Sequence, residues 1–301
     1  MDILGKVIRI DLDIYIINIE KTNDIIAAKA RGNVKKRDSI YVGDVVNIQK
    51  TNSDYMITSV INRKNVLIRP PVSNIDQMII VVSIGAPQPD YILLDKQIDL
   101  CVAKNITPII CINKIDLAKD DLKAKEDLEY IKKTYEKIGI KIVYVSAKEN
   151  IGIDNLKKLL IDMTSAFSGN SGVGKSSITK AILKNSPQRL EIGDIGKKTK
   201  RGRHTTKSVN LYTISENSYI LDTPGFSSYE LYDIDHRDLR EYYPEFSNCN
   251  CSYSDCAHVV ESSDVCDVKR KVKSGLIDNG RYERYVYIYN KLKENYDRRY
   301  K

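Results

Sequence analysis

Short apolar, β-branched runs cover Val7 to Ile19, Ile25 to Ala30, Val42 to Ile48 and Tyr55 to Ile61, with polar breaks at Thr22-Asn23-Asp24, Gly32-Asn33, Gly43-Asp44 and Thr51-Asn52-Ser53. None has a helical period, so residues 1–68 are expected to form a small β-barrel of the OB type. Beyond it the pattern changes. Met78 to Ile84 and Thr107 to Ile112 are compact apolar runs of the kind buried on both faces of a parallel sheet. Tyr91 to Lys104 lies between them with helical spacing, which gives a βαβ unit. A helix is predicted from Leu122 to Ile138, a strand over Lys141 to Val145, and a helix from Ile151-Gly152-Ile153 to near Met163. Thr164 to Ser168 is less apolar than a buried strand usually is, and is expected to be short or strained. A further helix should run from Ser176 to Leu183, and Tyr219 to Leu221 reads as a strand end. Residues 69–227 are therefore an α/β unit, and 228–301 form a third region without long apolar runs.

The chemistry concentrates where predicted strands end. Gly169-Asn170-Ser171-Gly172-Val173-Gly174-Lys175-Ser176-Ser177 contains the phosphate-loop spacing G-x-x-x-x-G-K-[ST]. Glycines let successive N–H groups turn inward around a phosphate. Lys175 supplies a point charge for the β- and γ-phosphates, and the Ser176 hydroxyl can ligate Mg²⁺. The following helix points its positive end at the same anion.

Asn113-Lys114-Ile115-Asp116 follows the second strand and has the N-K-x-D pattern of guanine-binding loops. A carboxylate at Asp116 can accept both N1–H and the 2-amino group of guanine; Asn113 is expected on the base's other edge and the Lys114 stem along the ring. Ser146-Ala147-Lys148, about 30 residues later at another strand end, matches the S-A-K loop that offers an N–H to guanine O6. Asp222-Thr223-Pro224-Gly225 supplies an Asp for Mg²⁺ through water and a Gly N–H for the γ-phosphate. Between phosphate loop and Asp222, residues 184–207 hold eight basic and two acidic residues, including Arg203-His204-Thr205-Thr206. The stretch has the character of a nucleotide-sensing switch, with Thr205 or Thr206 expected on Mg²⁺. Here the guanine motifs precede the phosphate loop, so the unit reads as a circularly permuted P-loop GTPase domain. Permutation is tolerated when termini lie close together, and it leads the γ-phosphate-sensing segment directly into the C-terminal region.

Charge and cysteines refine this picture. The 48 basic residues outnumber 40 acidic ones for a net +8, a mild bias toward an anionic partner. The basic linker from Ala28 to Asp38, with Lys29, Arg31, Lys35, Lys36 and Arg37, fits either a nucleic-acid backbone or a solvated turn. Cys251, Cys256, His258 and Cys266, spaced C-x4-C-x-H-x7-C, form a closed donor set for one structural Zn²⁺, with Cys249 an alternative first ligand. Residues 267–301 carry eleven basic and five acidic residues interleaved with tyrosines, which suits either an RNA surface or a packing helix. The longest apolar run, Met78 to Ala86, falls far short of the ~18 residues of a membrane span. These features lead us to expect a cytoplasmic, monomeric protein with no membrane partner.

Taken together, the motif order, the flanking barrel and the knuckle resemble the ribosome small-subunit-dependent GTPase A family. Further segments carry the resemblance: Arg31-Gly32, Val42-Gly43-Asp44, Asn74-Ile75-Asp76-Gln77, Leu94-Asp95-Lys96 and Gly202-Arg203-His204-Thr205-Thr206. The resemblance implies a multidomain α/β protein that binds the 30S subunit and its 16S rRNA, hydrolyses GTP faster there, and acts in late maturation of that subunit. It maps the presumed catalytic histidine to His204, beside Lys175 as the second catalytic residue. One departure is the seven residues between His258 and Cys266, where five are expected, which sets Cys266 apart from the other three ligands. A GTP-dependent RNA scaffold with negligible turnover is the competing reading; a permuted GTPase for the large subunit is disfavoured, because barrel and knuckle together fit the small-subunit family.

Overall fold

The computed structural model describes residues 3–32, 34, 39–51, 54–184, 209–222 and 234–299. Five strands open the chain: β1 (Ile3–Asp11), β2 (Ile14–Ile19), β3 (Ile25–Ala30), β4 (Val45–Lys50) and β5 (Tyr55–Val60). Their hydrogen bonds run in the order β1-β2-β3-β5-β4 and return to β1, so the barrel closes and its strands have no free edge. Val7, Ile17, Val46, Ile48 and Ile57 fill its interior.

A short hairpin, β6 (Val66–Leu67) and β7 (Val72–Ser73), leads from the barrel into a six-stranded layer. Its strands are β8 (Gln77–Ser83), β9 (Thr107–Asn113), β10 (Lys141–Tyr144), β11 (Thr164–Ser168), β12 (Asn210–Ser215) and β13 (Ser218–Asp222), in the spatial order β10-β9-β8-β11-β13-β12. All are parallel except β12, which pairs antiparallel with β13 and touches β1 at Arg9–Asn210, joining barrel and sheet. The helices are α1 (Tyr91–Ala103), α2 (Leu122–Ile131), α3 (Ile153–Leu159) and α4 (Lys175–Leu183). Alternation along β8 sorts them. Met78, Ile80 and Val82 pack with Leu94 and Ile98 of α1, while Ile79 and Val81 pack on the other face with Leu156 of α3 and Ile178 of α4. The α2 helix stops at Ile131 and is continued only by a π turn over Lys132–Glu136, so the predicted helix to Ile138 is shorter and less regular than its pattern implies.

The expectation of a short or strained segment at Thr164 to Ser168 is not met. All five residues are buried, and β11 pairs with β8 on one side and β13 on the other. Its hydroxyls are tolerated because each has a donor from elsewhere in the chain. Lys6 Nζ donates to Thr164 Oγ1 at 2.7 Å, Gln77 Nε2 to Ser165 Oγ at 2.9 Å and Gln97 Nε2 to Ser168 Oγ at 2.7 Å. Polar atoms satisfied in this way are not costly to bury.

The C-terminal region has two short 3₁₀ turns, a cysteine-bearing loop, α5 (Asp267–Lys273) and α6 (Asn279–Arg299). The tyrosines of α6 mostly pack. Tyr285 is fully buried, and Tyr289 and Tyr296 each flank the His236 ring at 5.3 Å. Among the described tail tyrosines, Tyr287 stands exposed. The packing-helix reading therefore accounts for most of them.

Candidate functional site

Four loops leave the carboxyl ends of parallel strands at one edge of the sheet: Gly169 to Gly174 after β11, Asn113 to Asp116 around the end of β9, Ser146 to Lys148 after β10, and Ile84 to Asp90 after β8. The chain reverses its direction of build-up between β8 and β11, and such a switch point at strand ends is where open α/β sheets form a crevice. Asp222, the last residue of β13, ends at the same edge. His204, Thr205, Thr206 and Gly225 lie outside the described residues, as do Lys35 to Arg37.

The phosphate-loop glycines are dictated by space as well as by backbone angle. Gly169 has φ +127°, and a Cβ there would sit 2.2 Å from the Val81 carbonyl oxygen. Gly174 has φ +99°, and its Cβ would meet Asn113 Nδ2 at 2.2 Å. Gly172 has φ +79°, and a Cβ there would meet only Pro87 at an ordinary 3.8 Å, so conformation alone decides. Lys175 Nζ donates to the carbonyls of Gly169 and Asn170, both at 2.6 Å, and thus lies across the loop mouth. Partial burial lowers its pKa from the usual lysine value. Ser176 and Ser177 are exposed in the first turn of α4, while Val173 is buried against the core.

Asn113 joins the loops. Its side chain is 2% exposed; Nδ2 donates to Val173 O at 2.8 Å and Oδ1 accepts from Ala147 N at 3.1 Å. One carboxamide thereby ties the phosphate loop to both guanine-type loops. The sequence places Asn113 on an edge of the base; a carboxamide has two N–H donors and two acceptor lone pairs, so these two contacts position the side chain and leave capacity for a base edge. Asp116 Oδ1 accepts from Ser146 Oγ at 2.6 Å, which fixes the carboxylate against the second loop. Lys114 adopts a left-handed backbone (φ +66°) and donates from Nζ to Ala86 O at 2.6 Å. Lys148 is exposed. The loop after β8 was not foreseen as part of this edge: Asp90 caps α1 and its Oδ2 accepts from Asn170 Nδ2 at 3.3 Å. The breakers Gly85-Ala-Pro-Gln-Pro directly after a buried strand were the available signal.

A second cluster lies in the C-terminal loop. One donor atom each from Cys251, Cys256, His258 and Cys266 falls within 4.8 Å of every other. His258 Nδ1 lies 3.6 Å from Cys251 Sγ and 3.5 Å from Cys266 Sγ. Tetrahedral bonding at ordinary zinc–sulfur and zinc–nitrogen lengths requires a separation of about 3.6 Å. The donor set thus fits Zn²⁺ through Nδ1, and the seven-residue spacing before Cys266 does not displace that thiol. Cys249 stands outside the cluster, with Lys271 Nζ donating to its sulfur at 3.4 Å. Burial pushes the Cys256 thiol up to about 12 and lowers the pKa of His258, so the imidazole is held in the neutral form that ligates metals.

Comparison with known proteins gives the chain its relatives. The family model described as RsgA GTPase matches residues 60–232. The chain belongs to the RsgA GTPase family. A protein named small ribosomal subunit biogenesis GTPase RsgA, from Caldanaerobacter subterraneus subsp. tengcongensis, is 40% identical over 99% of both chains. Its counterpart of the same name in Thermotoga maritima is 37% identical over 96% of both chains. The crystal structure of YjeQ from Thermotoga maritima superposes with a TM-score of 0.84 at 33% identity, covering 97% of this chain and 99% of that one. YloQ, described as a circularly permuted GTPase, gives 0.81 at 30% identity over 98% and 96%. As an RsgA GTPase the protein is a hydrolase, and its permuted motif order is a property of the family fold.

The chain also buries charge away from the strand edge. Asp95 and Asp99 lie on the core-facing side of α1 with no exposure, and face Arg281, Arg284 and Glu245 of the C-terminal region. Carboxylates four residues apart on an otherwise apolar helix face were the signal in the sequence. Among the described residues no helix is long and apolar enough to cross a membrane.

Proposed function

We propose that this GTPase acts in biogenesis of the small ribosomal subunit, binding the 30S particle and hydrolysing GTP faster when bound. The observation that carries the nucleotide half of this reading is Asn113, which holds the phosphate loop and both guanine-type loops in one crevice. Full-length similarity to proteins named for small-subunit biogenesis supports the ribosomal half.

In this reading the N–H groups of Gly169 to Ser177 hold the phosphates and Lys175 swings from its loop carbonyls onto the β- and γ-oxygens. Asp116, braced by Ser146, accepts from the guanine N1–H and 2-amino group; the Ser146-Ala147-Lys148 backbone meets O6, and the Lys114 stem lines the ring. Ser176 and one of Thr205 and Thr206 would hold Mg²⁺, with Asp222 reaching it through water; the ion would neutralise phosphate charge. Gly225 meets the γ-phosphate. Cys251, Cys256, His258 and Cys266 hold one Zn²⁺, whose part is to fold the knuckle. Residues 1–68, 69–227 and 228–301 then act as barrel, nucleotide unit and knuckle in one cytoplasmic monomer, with barrel and tail supplying contacts to 16S rRNA.

Phe226 follows Asp-Thr-Pro-Gly, where many GTPases carry a glutamine that orients the attacking water. A phenyl ring offers no hydrogen bond, so unstimulated hydrolysis is slow. His204 is the group suited to orient water once rRNA phosphates order its basic surroundings. Single-turnover hydrolysis with and without purified 30S subunits tests this. The expected result is strong stimulation in the parent, lost in His204→Ala while GTP binding survives. Full stimulation of His204→Ala removes the histidine from the mechanism, and an unstimulated parent favours the scaffold reading.

A further inference from the structure

The metal-ligand loop has an unusual backbone. His258 is not glycine yet takes φ +60°, and this turn aims Nδ1 at Cys251 and Cys266. The N–H groups on either side have no backbone partner to hold the turn. Both go to a single side chain: Ala257 N donates to Glu261 Oε1 at 2.7 Å and Val259 N to Glu261 Oε2 at 3.0 Å. Other side chains take the carbonyls. Lys269 Nζ donates to Val259 O at 2.8 Å and Glu261 O at 2.6 Å; Tyr282 and Tyr285 of α6 donate to His258 O and Ala257 O at 2.7 and 2.6 Å. The ligand loop is thus held by side chains rather than by secondary structure, and Glu261 alone grips both sides of the histidine.

We propose that Glu261 is the positioning residue of the metal centre: its carboxylate, bridging the Ala257 and Val259 amides, sets the backbone turn that delivers His258 Nδ1 to the metal. It stands outside the four-donor cluster, with its two oxygens each accepting from a backbone amide. Its negative charge beside three thiolates is offset by Lys269 of α5 and by Arg240, whose Nη1 donates to Ser254 O and Cys256 O. Outer residues that orient a ligand commonly change metal affinity 10–100-fold.

The test uses full-length protein loaded with Zn²⁺, and with Co²⁺ as a spectroscopic substitute. Chelator competition should show Glu261→Ala binding zinc about 10–100-fold more weakly. Glu261→Gln, which keeps one acceptor oxygen and so one of the two amide contacts, should fall between it and the parent. The Co²⁺ visible spectrum of Glu261→Ala should shift, reporting altered ligand geometry, while GDP affinity stays at the parent value. Parent-like zinc affinity and Co²⁺ spectrum in Glu261→Ala would overturn the proposal. So would weakened zinc binding accompanied by an equal loss of GDP binding, because the residue would then serve the whole fold. If Glu261→Ala gives no soluble protein, the zinc release rate of Glu261→Gln decides: faster than the parent supports the role, equal rejects it.

Discussion

Asp95 of α1 and Arg281 of α6 pair at 2.6 Å with 0% and 1% exposure, although 186 positions separate them. Asp95 also accepts from Arg284 Nε and from Tyr135 OH, and Arg281 turns its Nε to Glu245. The Arg281 guanidinium stacks over the Tyr243 ring at 4.5 Å. This network joins the helix after β8 to the helix that holds the metal-ligand loop. Breaking such a pair leaves one charge buried and uncompensated.

Asp95→Ala should therefore destabilise the protein by about 3–5 kcal/mol, seen in urea unfolding, with the loss concentrated at the docking of α6 on α1. Replacing Asp95, Arg281, Arg284 and Glu245 together by apolar residues of similar size should cost less, because no member of the network is then left unpaired. A single mutant with an unchanged midpoint would show that the pair is not charged.

Three carboxyl groups (Asp95, Asp99, Glu245) face two guanidiniums (Arg281, Arg284), and burial raises the Asp99 pKa well above the carboxylate range. A proton retained there balances the charges, and Tyr243 OH donates to Oδ2 at 3.4 Å. The folded pKa exceeds the unfolded one, so the folded state binds more protons once pH passes about 4. Stability from this group then declines with rising pH. Asp99→Asn should flatten the stability profile between pH 5 and 8 and raise stability at pH 8. A variant with the parent's slope would mean that Asp99 is ionised in the fold.

Gly174→Ala places a methyl group 2.2 Å from Asn113 Nδ2 on a backbone at φ +99°. It should weaken GTP binding by more than tenfold, measured by fluorescent-nucleotide titration. Gly139→Ala, with φ +80° but nothing within 4 Å, should cost only about 1–2 kcal/mol of stability and leave binding unchanged. Equal GTP affinity in the two variants would contradict a shared Asn113–loop geometry.

Asp116→Asn removes the paired acceptors proposed for guanine and should reduce GTP affinity by a few kcal/mol while partly admitting xanthosine triphosphate. Unchanged GTP affinity in a competition assay would reject the assignment.

The motifs at the strand ends were legible because their chemistry is local. Gly169 to Ser176 and Asn113 to Asp116 each need a fixed spacing within a few residues, and spacing survives in a bare sequence. The same holds for Cys251, Cys256 and His258; the short β-branched runs foretold the barrel, although the single run Val7 to Ile19 is two strands, Ile3–Asp11 and Ile14–Ile19. Local pattern failed where a residue's suitability depends on a distant partner. Thr164 to Ser168 read as too polar for a central strand, and only the fold supplies Lys6, Gln77 and Gln97 to its hydroxyls. Tyr282 and Tyr285 read equally well as RNA-stacking groups until the fold turned them onto the metal-ligand loop. Asn113 was legible as a loop residue, but its two hydrogen bonds, donated to Val173 O and accepted from Ala147 N, were not. Composition and spacing fixed which chemical groups the chain carries and in what order. Which of them are buried, and which partner makes that burial affordable, was settled by tertiary contacts alone, because desolvation is compensated by neighbours in space and not by neighbours in sequence.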